Sequence, residues 1–160
     1  MRLRPGFEAT VGVAAGLLTA GLIGVTVADV VGRYALGAPL PGAFELTELM
    51  VAALVFSALP LTTEAGEHVS VELIDPALGD RGRALLDLLV GLVSAGALGV
   101  LAWRLGATAA RLSADGATTV TLLLPLAPLG WFAAACSALS AVAAVLRGLW
   151  LFAAAEAERA

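Results

Sequence analysis

The sequence predicts an all-α integral membrane protein, a single domain over residues 1–160 that crosses the bilayer as four transmembrane helices. Three observations carry this expectation. Apolar residues make up 60% of the chain and charged residues only 14%, whereas charged residues are about 25% of an ordinary soluble domain. The mean hydropathy is +0.96. The apolar residues also arrive in four long blocks separated by short charged segments, and a soluble domain of this length would need polar residues to cover its surface.

The first block, Ala9 to Ala28, holds twenty uncharged residues between Glu8 and Asp29. At about 1.5 Å per residue a helix of that length covers the roughly 30 Å hydrocarbon core, and a span over about 9–31 is expected. Arg2 and Arg4 could instead open a secretory signal, with Thr26–Ala28 as its cleavage site, but the block exceeds the usual apolar region of about 7 to 15 residues. The second block has fifteen uncharged residues, Leu49 to Thr63. Reaching the roughly 20 needed to span draws Glu45 and Glu48 into its first turns and gives a span over about 45–63. The third runs over about 84–106, with sixteen uncharged residues between Asp87 and Arg104. The fourth covers about 128–150, and Pro125 and Pro128 mark its start.

Short interfacial segments are expected between helices 2 and 3 and before helix 4. In the first, Val69, Val71 and Leu73 alternate with polar residues ahead of Pro76, as an extended stretch at the headgroups or against a partner would. In the second, Gly116 to Ala127 reads GATTVTLLLPLA, apolar and too short to cross; it suits a re-entrant or interfacial piece. Orientation follows from arginine, which is retained on the cytoplasmic side. Arg2, Arg4, Arg81, Arg83, Arg147 and Arg159 flank one side; Arg33, Arg104 and Arg111 flank the other. Both termini are therefore expected inside, with Glu45 and Glu48 near the outer face.

Helix 1 carries Gly12, Gly16, Ala20, Gly24, Ala28 and Gly32, a small residue at every fourth position. In lipid such a stripe lets another helix approach closely, because association there depends on backbone packing; chance in a glycine- and alanine-rich chain is the competing reading. Helix 3 has a shorter version in Gly91, Ala95 and Gly99. Glu45 and Glu48, three residues apart, share one side of a helix, and a charge at this depth is costly unless wet or paired. Arg33, at the outer end of helix 1, is the nearest partner on this topology. A structural or partner-docking pair, a solvated helix start favoured by the dipole, and an ion-handling site all remain open for the two glutamates.

His68 lies in the inner connection with Glu64, Glu67 and Glu72 around it, either solvated or fixing that connection against a partner. One histidine cannot build a metal centre or ligate a haem on both sides, so no cofactor is expected. Cys136, the only cysteine, lies in an apolar block and suits packing as a small hydrophobe. There is no GxSxG, no phosphate-cradling glycine loop and no HExxH, which leaves no case for an enzyme. A formal net charge of −4 offers no basic patch for nucleic acid.

Taken in order, the run VVGRYALGAPLPGAFELTELMVAALVFSALPLTTEAGEHVSVELI, residues 30 to 74, resembles the small permease (DctQ, or Q-type) subunits of TRAP transporters, the tripartite ATP-independent periplasmic systems. Arg33-Tyr34 closes the first helix, Pro39 and Pro41 lie in the outer loop, Glu45 with Glu48 opens the second helix, and His68 with Val71 follows it. The resemblance continues loosely through the arginine-bearing turn before helix 3 and Leu124-Pro125 before helix 4. The family commonly shows Trp followed by two adjacent acids at the start of the second helix; here stands Phe44-Glu45-Leu46-Thr47-Glu48, which leaves two candidates for the family acid.

The resemblance implies a division of labour. A periplasmic substrate-binding protein captures an organic acid, and a large permease subunit holds the substrate site and the sodium coupling. The small subunit is a multi-pass scaffold in the bacterial cytoplasmic (inner) membrane, surrounded by lipid and packed against the large one. On that reading Arg33, Glu45 and Glu48 hold the outer ends of helices 1 and 2, and His68 and Glu72 order the inner connection. The stripe Gly12, Gly16, Ala20, Gly24 and Ala28 contacts the large permease. The rival reading is a self-sufficient homodimeric, proton-coupled exporter, which needs a carboxylate deep inside a span.

Overall fold

The computed structural model describes residues 5–65 and 80–157 as four α-helices and their connections: α1 (Pro5–Ala35), α2 (Ala43–Ala65), α3 (Asp80–Ala114) and α4 (Ala127–Ala157). Each contains a stretch long and apolar enough to cross a membrane, over Ala9–Ala35, Ala43–Thr63, Leu88–Ala114 and Ala127–Trp150. The all-helical, four-span expectation is met. The alternating segment around Val69 and Val71, with His68 and Glu72, lies outside the described residues. Helix α3 runs on past Gly106 to Ala114. Arg104 and Arg111 interrupt the apolar run without interrupting the helix, since arginine is a good helix former and both side chains are exposed.

The helices are stacked in the order α1, α2, α4, α3: α1 packs on α2, α2 on α4, and α4 on α3. Helix α4 is thus interior to the row, and its neighbours are chosen by small residues. Among the described residues the buried apolar side chains are Pro60 and five alanines, Ala43, Ala109, Ala133, Ala134 and Ala144, joined by the hydroxyls of Thr63, Ser137 and Ser140. Larger apolar side chains, among them Leu17, Val93 and Trp103, point outward. That distribution inverts a water-soluble core and suits helices whose outer surface faces lipid, where close backbone packing and not burial of bulk holds neighbours together.

The α3–α4 seam shows this most plainly. A Cβ placed on Gly91 would lie 3.2 Å from the Ala144 carbonyl oxygen and 3.4 Å from the Gly148 Cα, and one placed on Gly130 would lie 2.9 Å from the Ala109 Cβ. The two backbones therefore approach closely near both ends of the seam. The buried serines do not disturb it, because Ser137 Oγ donates to the Ala133 carbonyl and Ser140 Oγ to that of Cys136, each at 2.8 Å. Such bonds one turn back satisfy a hydroxyl without a partner helix. Cys136 itself is half-buried on α4. Pro60 lies inside α2, where its ring removes one helical hydrogen bond; the helix nonetheless continues to Ala65.

Helix α3 ends where Gly116, at φ +59°, takes the left-handed conformation that glycine adopts at little cost. The Ala117 amide then donates to the Leu112 carbonyl at 3.0 Å, closing the helix in a Schellman arrangement. Helix α4 begins with Pro128 in its first turn, where the missing N–H would have had no intrahelical acceptor. These two terminations bring residues 115–126 back toward the start of α2.

Candidate functional site

Two connections meet at one end of the row: residues 36–42, between α1 and α2, and residues 115–126, between α3 and α4. The second is a tight reversal. Thr118 and Pro125 form an isolated antiparallel bridge, the Thr119 amide donates to the Leu124 carbonyl at 2.9 Å, and the Leu126 amide donates to the Ala117 carbonyl at 3.1 Å. Leu123 sits at the tip with φ 53°, a conformation that costs a non-glycine residue energy and persists only where its surroundings impose it.

Glu45 supplies that constraint. Its Oε1 accepts the Thr121 amide at 2.7 Å and its Oε2 accepts the Leu122 amide at 3.0 Å. A carboxylate that receives two backbone N–H groups forms charge-assisted bonds, stronger than neutral ones, and here they join positions 76 and 77 residues apart. Beneath them the Leu122 side chain closes over Gly42. A Cβ at Gly42 would meet three Leu122 carbons at 2.4 to 2.8 Å, and φ there is +75°, so both space and backbone demand glycine. The first turn of α2 is thereby clasped to the α3–α4 connection.

A parallel arrangement closes α1. Asp29 Oδ2 accepts from Arg33 Nη2 at 2.7 Å, and its Oδ1 accepts the Leu40 amide at 3.0 Å. The amides of Leu36 and Ala38 both donate to the Gly32 carbonyl. Arg33 therefore pairs with Asp29, one helical turn away, and not with Glu45 or Glu48 as the sequence suggested. The reason is geometric: an Asp and an Arg four residues apart already face each other, while Glu45 is engaged by the loop. Between the two clasps lies an open cleft of about 390 Å³, lined by Thr26, Asp29, Arg33, Glu45, Thr47 and Thr121 among others. Arg33 and Glu45 thus share a cleft without bonding to each other.

Glu48 is exposed, and among the described residues it makes no ion pair or hydrogen bond. The two glutamates are not equivalent: Glu45 is built into the molecule and Glu48 is not. The stripe on α1 divides likewise. Gly32 is buried, its position fixed by the Ala38 carbonyl oxygen, which a Cβ would meet at 2.6 Å, whereas nothing lies within 4 Å of a Cβ placed on Gly12, Gly16 or Gly24. Ala20 and Ala28 are exposed as well. On α3, Gly91 is taken up by α4 and Gly99 meets open space.

Sequence reasoning missed Asp29 and the loop tip. The i, i+4 spacing of Asp29 and Arg33 was a usable signal; nothing local to Thr121 or Leu122 announced an acceptor on another helix. No group of three or more His, Cys, Asp or Glu able to hold a metal occurs among the described residues. The arrangement is mechanical: it fixes four helix ends against one another. A family model described as "Tripartite ATP-independent periplasmic transporters, DctQ component" matches residues 22–154. No curated protein and no solved structure matches the chain.

Proposed function

The chain belongs to the DctQ component family of the tripartite ATP-independent periplasmic transporters, and on that premise we propose that this small membrane subunit serves as the scaffold of the large permease subunit. The observation that carries the reading is the outward stripe of α1. This helix packs on α2 alone among the strongly contacting pairs, yet Gly12, Gly16, Ala20, Gly24 and Ala28 all lie exposed. A smooth strip of backbone on a lipid-facing helix is suited to another helix, and the large subunit is the polytopic partner that the family implies.

In this reading the subunit sits in the bacterial inner membrane with both termini inside, as the arginine distribution favours. The clasped end then faces the periplasm, where the substrate-binding protein would be received. Sodium coupling and the organic-acid site belong to the large subunit. Glu45 keeps the helix ends in register; Arg33 and Asp29 order the outer end of α1. His68 and Glu72 are assigned to the inner connection on the resemblance alone.

The exporter reading requires a membrane-embedded carboxylate that can load and release a proton. Glu45 and Asp29 lie near the ends of their spans and hold backbone amides, which supports structural roles. Tagged copurification in mild detergent tests the proposal. A large polytopic permease recovered in equal amount, and lost on Gly16→Leu with Gly24→Leu, is the expected result. Recovery of a homodimer that transports protons in liposomes would overturn it.

A further inference from the structure

The connection between α3 and α4 has a property that its role as a clasp does not require. From Gly116 to Leu126 it carries no charged side chain, and its outermost side chains, Val120 and Leu123, are 91% and 68% exposed. Much of its backbone is paired, while the amides of Thr118, Val120 and Leu123 have no hydrogen-bond partner among the described residues. The amides of Ala117, Thr119 and Leu126 donate to carbonyls within the chain, that of Leu124 to Thr119 Oγ1 at 3.1 Å, and those of Thr121 and Leu122 to Glu45.

A non-helical segment that leaves a few amides unpaired is compatible with the headgroup boundary, where water reaches them, and not with the hydrocarbon core. The position of the tip agrees with that boundary. It touches the first turn of α2, whose membrane-crossing stretch begins at Ala43, so it lies level with the edge of a span. Phe44 and Tyr34 are exposed on helix turns at the same end, and aromatic residues collect at the membrane interface. The side chains of Val120 and Leu123, the most exposed of the tip, are hydrocarbon only.

We propose that the α3–α4 connection is a membrane-interface anchor, which sets Val120 and Leu123 into the boundary between headgroups and acyl chains beside α2. Glu45 then has a second consequence: it removes two amide donors from the segment that enters the lipid. The anchor needs no partner subunit, so it stands or falls independently of the scaffold reading.

The test uses the full-length subunit alone, with Val120→Cys or Leu123→Cys in a Cys136→Ala background, labelled with an environment-sensitive fluorophore. Asp115→Cys, on an exposed position at the end of α3, is the aqueous control. In vesicles of phosphatidylethanolamine and phosphatidylglycerol, the labels at 120 and 123 should show blue-shifted emission. They should be quenched several-fold more by a nitroxide near the lipid headgroup, and several-fold less by iodide, than the label at 115. Equal iodide quenching at all three positions would overturn the proposal. So would protection that arises only when the large subunit or the binding protein is added, because the segment would then be a protein interface. A photoactivatable lipid applied to the unsubstituted chain reads the same contact without a cysteine: crosslinks within 119–124 support the anchor, and their absence alongside crosslinks on α1 counts against it.

Discussion

Helices α1 and α3 carry the same sequence grammar, small residues repeated at helical spacing, and the fold uses them oppositely. On α3, Gly91 and Ala109 lie against the backbone of α4 or its glycine. On α1, the small positions from Gly12 to Ala28 remain open. Spacing therefore predicts the capacity for close approach and not the partner. What separates the two is whether a helix faces the stripe: α4 offers Ala134, Ala144 and Gly148 to α3, while nothing lies within 4 Å of a Cβ built at Gly12, Gly16 or Gly24, and α2 meets α1 instead at Gly21, where the Met50 side chain lies 3.1 Å from such a Cβ.

This contrast can be broken most forcefully at the closed seam. Gly91→Leu drives a branched side chain into the Ala144 carbonyl and the Gly148 backbone, and overpacking of this kind costs about 1–3 kcal/mol or more where backbone cannot give way. The thermal midpoint of the detergent-solubilised subunit, read by circular dichroism, should fall clearly. Glu45→Gln comes next. It keeps an acceptor but loses the charge and one of two oxygens, so exchange of the Thr121 and Leu122 amides should accelerate by roughly an order of magnitude, with the helices themselves little changed. Glu48→Gln should leave that exchange unaltered, which separates the two glutamates in one measurement.

Smaller still is Arg33→Gln. An exposed i, i+4 pair contributes little, and Asp29 retains the Leu40 amide; a measurable rise in local exchange around residues 38–40 is the most expected. At the open stripe, Gly16→Leu with Gly24→Leu should leave the midpoint of the isolated subunit unchanged or slightly raised, since leucine is a better helix former than glycine. If that pair destabilises the isolated chain as Gly91→Leu does, the stripe is already occupied within the molecule and the contrast fails.

The helices were legible because a span needs an uninterrupted apolar stretch, and four such stretches stand out from their charged borders. Their order in the row was not. In lipid every outward face is apolar, so neither periodicity nor composition says that α4 sits between α2 and α3. The importance of Glu45 could be read from its cost at a membrane edge, but its partners could not: they are backbone amides on another connection, and amides carry no sequence signature. Glu48 looked identical because spacing alone treats both carboxylates alike. Arg33 pairs one turn away and not across helices, because an acid four residues back on the same helix faces it before any other helix arrives.

The position of α4 in the row bears on how the chain is assembled. Emerging in order from the ribosome, α1 and α2 can pair at once, but α3 reaches the membrane with no neighbour to receive its glycine face. Only the arrival of α4 gives it one, and α4 must enter between two helices already inserted. Completion of the row therefore waits on α4: a nascent chain arrested before Ala127 should hold one finished hairpin and one helix without its packing partner.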